Sequence, residues 1–271
     1  MKDSCRKLYE TSYRMRKRFL EIFTNLGYGH LTTAFSETEI LVALMQVMKL
    51  DPSAQDADRL VLSKGHGAGM VFTMLEEMGL LAPGELDRVI RPGGDFSVFD
   101  RYFYPGFHFY GGSLGIGLGL AAGMALGQRL NRAGSLVFCL LGDAECYEGS
   151  VWEAVLFAGH NRLNNLIAIV DRNYLGCSDF TENMCALEPF ADKWEDCGWE
   201  AKKVNGHSIE ELLEALSGVR TRSTARPLCI IAETVKGKGL EQFSNIPLMH
   251  GFMPKGEQIG ESFRNLERIG L

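Results

Sequence analysis

The amino-acid sequence predicts an α/β protein with a doubly wound, mostly parallel sheet flanked by helices. Apolar runs such as SLVFCLL and NLIAIV alternate along the chain with helical patterns. These runs are continuous rather than alternating in polarity, which is typical of parallel strands covered on both faces. The chain has 271 residues, of which 46% are hydrophobic and 23% charged, so it can bury a sizeable core. We expect a single domain over residues 1–271.

The first half of the chain begins with a predicted amphipathic helix over residues 3–26, which ends near Gly27. Ser36 and Glu39 have the spacing of a capping box and predict the start of the next helix. RLVLS is predicted to be a short strand, followed by a helix over GHGAGMVFTMLEEMG. Residues 81–112 are rich in Gly, Pro and aromatic side chains and are predicted to be irregular. GSLGIGLGLAAG then leads into a helix of small residues.

The second half contains the clearest unit, in which strand SLVFCLL, helix GSVWEAVLFAGHNRL and strand NLIAIV follow one another. The helix is a crossover connection, so the two strands are expected to lie parallel. WEAKKVNG and PLCIIAET continue the alternation, and the helix between them starts at Ser208 with Glu211 in capping-box spacing. Residues 236–271 are predicted to form an irregular tail with a short final helix.

The composition excludes several classes of protein. The net charge of −6 gives no electrostatic footprint for nucleic acid, and the locally basic N-terminal segment fits the exposed face of a helix. The seven cysteines form no CxxC pair, which suggests reduced cytosolic thiols. The N-terminus is polar, and the longest apolar stretches are too short or too rich in glycine to span a bilayer. We therefore expect a soluble cytoplasmic protein without a nucleic-acid or membrane partner.

Two polar residues lie directly after neighbouring predicted strands. Asp143 follows SLVFCLL and Asn173 follows NLIAIV, so both are expected at the edge of the sheet where ligands bind in open α/β folds. Carboxylate and amide oxygens are hard ligands that suit a Mg²⁺ ion clamped to a diphosphate better than a dedicated calcium site. On spacing alone, a helix cap at Asp143 and a turn at Asn173 explain the pattern slightly better.

The segment GDAE at 142–145, followed by Asn173, resembles the thiamine diphosphate signature that begins Gly-Asp-Gly and ends in Asn. The surrounding sequence is similar to the same stretch of transketolases. Further motifs occur in the order typical of that family: GYGH with His30, DRLVLSKGHGAG with His66, GGSLGIGLGLAAGMAL, and ETVKGKG followed by HG at His250. The resemblance covers nearly the whole chain, and the motifs are specific together although each is weak alone.

This resemblance implies a thiamine diphosphate- and Mg²⁺-dependent enzyme, with Ca²⁺ as a substitute ion. Transketolases transfer a two-carbon ketol unit from a ketose to an aldose, and the cofactor carries the difficult step. By match, Asp143, Asn173 and the backbone carbonyl of Leu175 are the metal ligands. The implied catalytic residues are His30, His66, His250 and His108. The implied cofactor contacts are His66, Gly112, Ser113, Leu114, Gly142, Asp143, Ala144, Glu148, Asn173 and His250.

Other residues receive weaker assignments. By resemblance, Glu148 and Glu153 belong to a proton network that reaches a second, partner chain, although a solvated helix position also explains Glu153. Glu145 has no assigned role and is expected to face solvent. His160 and His207 match nothing functional and are interpreted as structural or surface residues. Tight helix packing explains part of the glycine-rich GSLGIGLG stretch.

The sequence departs from the family at three places. Ala144 replaces the third glycine of Gly-Asp-Gly, and LTTAFS follows GYGH in place of a Pro-Gly-Gly type segment. Val98 stands where the family carries the histidine of a His-Pro-acid motif that faces the donor sugar. His108 occurs where family members usually carry an acid, and either replaces that histidine or marks a different substrate. A sugar phosphate outside the pentose phosphate pathway, or a modified sugar, fits this change.

The chain ends before the pyrimidine-binding and C-terminal domains of a full transketolase. We expect a separate C-terminal subunit to supply them, including the glutamate that protonates the aminopyrimidine, in an α2β2 heterotetramer. The chain alone should then be inactive. Two alternatives remain: the α subunit of a 2-oxoacid dehydrogenase, which shares cofactor and fold, and a non-catalytic transketolase-like binding or regulatory protein. SKGHGAG and TVKGKG favour transketolase over the dehydrogenase.

Overall fold

The computed structural model describes residues 2–51, 54, 56–82, 84–89, 103–104, 107–109 and 113–269. The helices within these ranges are α1 (Lys2–Leu26), α2 (Leu31–Ser36), α3 (Thr38–Val47), α4 (Ala68–Glu77), α5 (Glu85–Val89), α6 (Gly117–Leu130), α7 (Gly149–His160), α8 (Thr181–Met184), α9 (Phe190–Asp196), α10 (Ile209–Leu216) and α11 (Glu257–Ile269). The strands are β1 (Arg59–Leu62), β2 (Phe103–Tyr104), β3 (Phe107–Phe109), β4 (Val137–Gly142), β5 (Leu166–Arg172), β6 (Glu200–Asn205) and β7 (Leu228–Glu233).

The strands form one sheet in the order β2-β3-β1-β4-β5-β7-β6. β2 runs antiparallel to β3, and the other neighbouring pairs are parallel. The helical crossover α7 joins β4 to β5 as predicted, and their register runs from Val137 opposite Leu166 to Gly142 opposite Asp171. The prediction of a doubly wound, mostly parallel sheet is therefore confirmed.

A separate hydrophobic core covers each face of the sheet. Phe138 and Leu140 of β4 face the core built with α1, α3 and α4, whereas Val137, Cys139 and Leu141 face the core built with α6, α7 and α9. Successive side chains of a strand point to opposite faces, so a strand buried on both sides needs an unbroken apolar run. This requirement explains the continuous run that the sequence shows.

Two of the predicted capping signals have different outcomes. Ser208 caps α10 by accepting from the backbone N–H of Glu211 at 3.2 Å. The capping box at Ser36 and Glu39 is wrong, because no side chain caps α3 and Ser36 is the last residue of α2. Both side chains are buried. Glu39 instead pairs with the buried Arg16, an interaction that a buried carboxylate needs more than a cap.

The predicted irregular region and tail contain more regular structure than expected. α5, β2 and β3 fall within residues 81–112, and Phe107 of β3 pairs with Leu60 of β1. Val98 and Gly112 lie outside the described residues. The tail ends in the 13-residue helix α11, whose Leu266 is buried in the core that includes α1. Among the described helices, each is too short or too polar to cross a bilayer.

Candidate active site

A cavity of about 200 Å³ opens at the carboxyl ends of the central strands. Its walls combine the residues after β4 and β5 with three separate loops that carry His30, His66 and His250. Ligand sites of open α/β sheets form at this edge. The fold therefore brings together residues that are far apart in sequence, as expected for Asp143 and Asn173 from their positions at strand ends.

Asp143 lies at the wall of this cavity and is 1% exposed. Its Oδ1 accepts from the N–H of Ala144 at 2.8 Å, and its Oδ2 accepts from the N–H of Tyr174 at 2.7 Å. Burial, with the neighbouring Asp171 next, raises the pKa of Asp143 to about 6 despite the nearby Arg172. A cation entering the cavity would favour the ionised form of this carboxyl.

Asn173 is 5% exposed and uses its Oδ1 to accept from the N–H of Leu175 at 3.1 Å. The turn that follows contains Tyr174 at a φ of 62°, in the left-handed region that non-glycine residues seldom adopt. The cap at Asp143 and the turn at Asn173 are therefore both present. They hold a carboxylate and an amide at one cavity wall, so the local and the functional interpretations of this spacing are compatible.

The three predicted histidines form one cluster. Their ring centroids are 5.4 Å apart for His30 and His66, 5.1 Å for His30 and His250, and 4.8 Å for His66 and His250. Burial, followed by nearby positive charge, lowers the pKa of His66 well below its usual value and that of His250 to about 3. These two rings are neutral at pH 7. The buried Nδ1 of His30 has no hydrogen-bond partner within the described part of the chain.

A further cavity residue, Lys236, lies in the motif ETVKGKG, and its sequence pattern does not single it out. This side chain is 4% exposed and lines the cavity. Its Nζ lies 3.0 Å from Nδ1 of His250 and 3.5 Å from the carbonyl oxygen of Leu175. Burial lowers the pKa of Lys236 to about 8. In the described ranges no carboxylate forms an ion pair with it, although the charges of Asp143 and Asp171 act on it from a distance, so it brings a positive charge to the histidine cluster.

A second missed group is the ionic cluster formed by Glu37, Lys64 and Asp171, of which Lys64 also lines the cavity. Lys64 lies 2.9 Å from Glu37 and also pairs with Asp171, and all three side chains are 1% exposed or less. Burial raises the pKa of Glu37 to about 8, so it holds a proton at neutral pH. Hydroxyls of Ser36 and Thr234 donate to Asp171. The cluster fixes the segment that carries His66.

Glu145 does not face solvent, contrary to the expectation. It is 2% exposed, and its carboxylate accepts from the N–H groups of Gly115 at 2.9 Å and Gly142 at 3.1 Å, and from the hydroxyl of Ser63. Gly115 has a φ of 83°, which suits glycine. The pattern of acids in GDAEC gave no signal of this burial, because most of the partners come from distant loops.

The other predicted residues divide between the cavity and its surroundings. Leu114, Gly142 and Ala144 line the cavity. Ser113, Glu148 and Glu153 are exposed, and Gly112 lies outside the described residues. His108 is half-buried in β3, opposite Val61 of β1, and does not line the cavity. His160 is exposed, whereas His207 is largely buried and bonds Glu39.

No three His, Cys, Asp or Glu side chains of the described residues are close enough together to form a metal site by themselves. A divalent cation in this cavity would therefore draw on amide and carbonyl oxygens as well as on Asp143. Asn173 and the carbonyl of Leu175 offer these donors at the same wall.

These features define a cofactor-binding domain of the open α/β class. A family model described as "Transketolase, thiamine diphosphate binding domain" matches residues 13–266. The chain therefore belongs to the transketolase family and carries its thiamine diphosphate-binding domain.

Similar proteins include two that are named as transketolase subunits and others that are named simply as transketolase. The 6-deoxy-6-sulfo-D-fructose transketolase subunit SqwG of Clostridium sp. (strain MSTE9) is 37% identical over 230 residues, 83% of each chain. One of the subunits of apulose-4-phosphate transketolase from Phocaeicola vulgatus is 33% identical, covering 95% of this chain and 93% of that one. Human transketolase is 39% identical, covering 90% of this chain and 39% of that protein.

A solved structure supports the same fold. Transketolase from Campylobacter jejuni matches with a TM-score of 0.85 at 26% identity, covering 97% of this chain and 42% of that chain. The chain thus spans most of the two relatives that are named as subunits, but about two fifths of human transketolase and of the Campylobacter jejuni enzyme.

Proposed function

We propose that this chain is the N-terminal subunit of a two-chain transketolase that uses thiamine diphosphate and Mg²⁺. The complex would transfer a two-carbon ketol unit from a ketose to an aldose. The observation that carries the proposal is the single cavity in which the His30, His66 and His250 cluster meets Asp143 and Asn173.

The residues of the cavity fit the cofactor. A buried ring nitrogen of His30 lacks a partner, and Lys236 adds a positive charge without a paired carboxylate in the described ranges, which suits an anionic group. Asp143, Asn173 and the carbonyl of Leu175 would hold Mg²⁺, with Ca²⁺ as a substitute. When bound, thiamine diphosphate supplies a carbanion that attacks a carbonyl carbon and then accepts its electrons.

The cofactor contacts proposed for this chain come from several separate segments. They are His66, Gly112, Ser113, Leu114, Gly142, Asp143, Ala144, Glu148, Asn173 and His250. Gly112 and Gly142 would permit the backbone to approach the cofactor closely, because glycine has no side chain. In Ala144 one methyl replaces a hydrogen, and its N–H is already bound to Asp143.

Neutral histidines can hold and move protons on sugar hydroxyls. Lys236 donates to Nδ1 of His250, so the neutral ring carries its proton on Nε2 and can donate it there. The positive charge of Lys236 disfavours protonation of His250, in line with the lowered pKa of that ring. We propose that His30, His66 and His250 serve the substrate and the diphosphate, and that His108, on β3 outside this cavity, acts near the donor sugar.

The partner would be a C-terminal subunit that carries the pyrimidine-binding domain, in an α2β2 complex. Glu148 and Glu153 are exposed, as a proton network that continues into a partner requires. On α7, which also carries Glu153, Leu156 is 58% and Phe157 43% exposed. Neighbouring large apolar side chains on a surface favour a protein contact. The names of the two relatives described as subunits support a partner chain.

The same names support a substrate other than the common pentose phosphates. One relative is named for a sulfonated ketose and the other for apulose 4-phosphate. We propose an anionic or modified sugar as donor, in the cytoplasm, where the seven unpaired cysteines of this chain stay reduced.

The test is reconstitution with a C-terminal subunit that carries the pyrimidine-binding domain. The two purified chains, separately and mixed, would be assayed for ketol transfer with a panel of sulfonated and phosphorylated ketoses in the presence of thiamine diphosphate and Mg²⁺. We expect turnover only in the mixture, and with a modified or phosphorylated ketose. Strong turnover by this chain alone, or oxidative decarboxylation of a 2-oxoacid by the mixture, would overturn the proposal.

A further inference from the structure

A second cavity, of about 350 Å³, lies at the opposite edge of the sheet. Its walls are the end of α6, the loop before β4, the residues before β5 and the loop before β7. The parallel strands begin at this edge and end at the histidine cluster, so the length of the strands separates the two cavities. None of the cofactor contacts proposed above lines this second cavity.

The charge of this cavity is predominantly positive. The arginines in its wall are Arg129, Arg132, Arg220 and Arg222. Two of them are paired: Arg220 with the buried Asp58, and Arg222 with Glu200 at 2.7 Å. Four guanidinium groups thus face two carboxylates, and the surplus favours an anion.

The surplus resides in Arg129 and Arg132. Arg129 donates to the backbone carbonyl of Asn161 at 2.7 Å, which leaves its charge uncompensated. Within the described ranges, neither arginine forms an ion pair with a carboxylate. Guanidinium groups present several donors in one plane and bind phosphate oxygens in pairs.

Three buried polar atoms in the same wall lack a hydrogen-bond partner in the described part of the chain. They are Oγ of Ser135, Nη1 of Arg222 and Oδ1 of Asn165, and Ser135 is only 2% exposed. Buried polar groups are almost always bonded to protein or water, so these three atoms are available to water or to a polar ligand in this wall. The hydroxyl and the guanidinium can both donate to an anion.

Asn165 restricts which chemical groups of a ligand can bond this wall of the cavity. Its amide nitrogen donates to the carbonyl of Ala125 at 2.8 Å, which leaves Oδ1 as the amide atom without a partner in the described part of the chain. An oxygen in this position accepts only, so it repels a bare phosphate oxygen and needs a hydroxyl donor. The wall therefore combines donors for an anion with one acceptor for a hydroxyl.

We propose that this cavity binds a phosphate ester that also carries hydroxyl groups. Phosphate oxygens contact Arg129, Arg132, Arg222 and the hydroxyl of Ser135, while a hydroxyl of the ester donates to Asn165. The volume is within the range of small-molecule sites. Sugar phosphates and nucleoside monophosphates share this chemistry. The site is independent of the proposed ketol transfer, because it lies at the other edge of the sheet.

The test is calorimetric titration of the purified full chain with ribose 5-phosphate, AMP and inorganic phosphate at fixed ionic strength. Ser135→Ala removes a hydroxyl that has no partner within the described ranges, so its melting temperature should not fall, while binding of the ester weakens about fivefold. Arg132→Gln should weaken binding about tenfold. Arg268→Gln, an exposed arginine on α11, is the matched control.

We expect saturable binding of at least one ester, tighter than that of inorganic phosphate, weakened by both variants and unchanged in Arg268→Gln. His66→Gln should bind the ester like the wild type, which separates this site from the histidine cavity. A preference for ribose 5-phosphate would identify a sugar phosphate, and a preference for AMP a nucleotide. Absence of saturable binding by either ester, affinity no better than that of inorganic phosphate, or binding unaffected by both variants would overturn the proposal.

Discussion

Two buried polar clusters adjoin at the candidate active site, and they differ in charge balance. In the ionic cluster, the ammonium of Lys64 faces the ionised Asp171 and a Glu37 that holds a proton. In the histidine cluster, Lys236 faces neutral rings and has no paired carboxylate in the described ranges. A balanced cluster is complete without a ligand, whereas an unbalanced one favours an anion. We therefore assign a structural role to the ionic cluster and a ligand-binding role to the histidine cluster.

The largest effect is expected for Lys64→Met, which tests whether the ionic cluster stabilises the fold. The change leaves the buried Asp171 carboxylate without its cation, so we expect the free energy of unfolding in urea to fall by about 3–5 kcal/mol. The double variant Lys64→Met/Asp171→Asn removes the charge as well and should recover part of the loss. A loss below about 1 kcal/mol in the single variant would show that the cluster does not hold this part of the fold.

Asp143→Asn tests the wall of the histidine cavity. An amide keeps the acceptor for the N–H of Ala144 but loses the charge that would hold Mg²⁺, so we expect the affinity for thiamine diphosphate with Mg²⁺ to fall roughly 100-fold. Binding would be followed calorimetrically in the complex with the C-terminal subunit. Asp192→Asn, at an exposed carboxylate of α9, is the control and should bind normally. Equal affinities in the two variants would remove Asp143 from the site.

Lys236→Met makes the same change in the histidine cluster that Lys64→Met makes in the ionic cluster, so the stabilities of the two variants can be compared directly. Removing a buried charge without a paired carboxylate should leave the unfolding free energy unchanged or raise it by about 1 kcal/mol. The same change should weaken binding of thiamine diphosphate about tenfold, since the diphosphate loses a cation. If Lys236→Met destabilises the chain as strongly as Lys64→Met, the two lysines have the same structural role and the distinction fails.

The smallest expected effect is the pH dependence that His66 contributes. Its pKa is lowered in the folded state, so its contribution to stability is complete above the unfolded value of 6.5 and is lost as the pH falls below it. Between pH 7.5 and 5.5 the unfolding free energy of wild type should fall about 1 kcal/mol more than that of His66→Gln. Glu37 and Asp143 have raised pKa values, so their contributions to stability change with pH in the opposite direction to that of His66. Subtracting the pH profile of His66→Gln from that of wild type removes these contributions. Parallel curves would contradict a neutral, buried His66.

The sequence predicts the parts of this molecule that depend on local pattern. Strand ends follow from continuous apolar runs, so the neighbouring positions of Asp143 and Asn173 can be inferred without the fold. The three histidines are found through motifs, although no local pattern shows that their ring centroids lie within 5.4 Å of one another. The distance between them is set by how separate loops pack.

Burial of charge is the property that sequence reasoning could not supply. Lys64, Lys236 and Glu145 each look like ordinary surface charges, and each is 4% exposed or less because distant segments provide its partners or cover it. The wrong capping box at Ser36 has the same cause. The spacing was correct, but tertiary partners outweighed the local hydrogen bond.

The most direct test of the histidine cavity is a titration of thiamine diphosphate into the complex of this chain with its C-terminal subunit, with Mg²⁺ present and with the metal chelated. We expect saturable binding at one site per copy of this chain, lost on chelation and restored by Mg²⁺ or Ca²⁺. Binding that is equally tight without a divalent cation, or no binding in either condition, would contradict the assignment of the histidine cavity as a thiamine diphosphate–metal site.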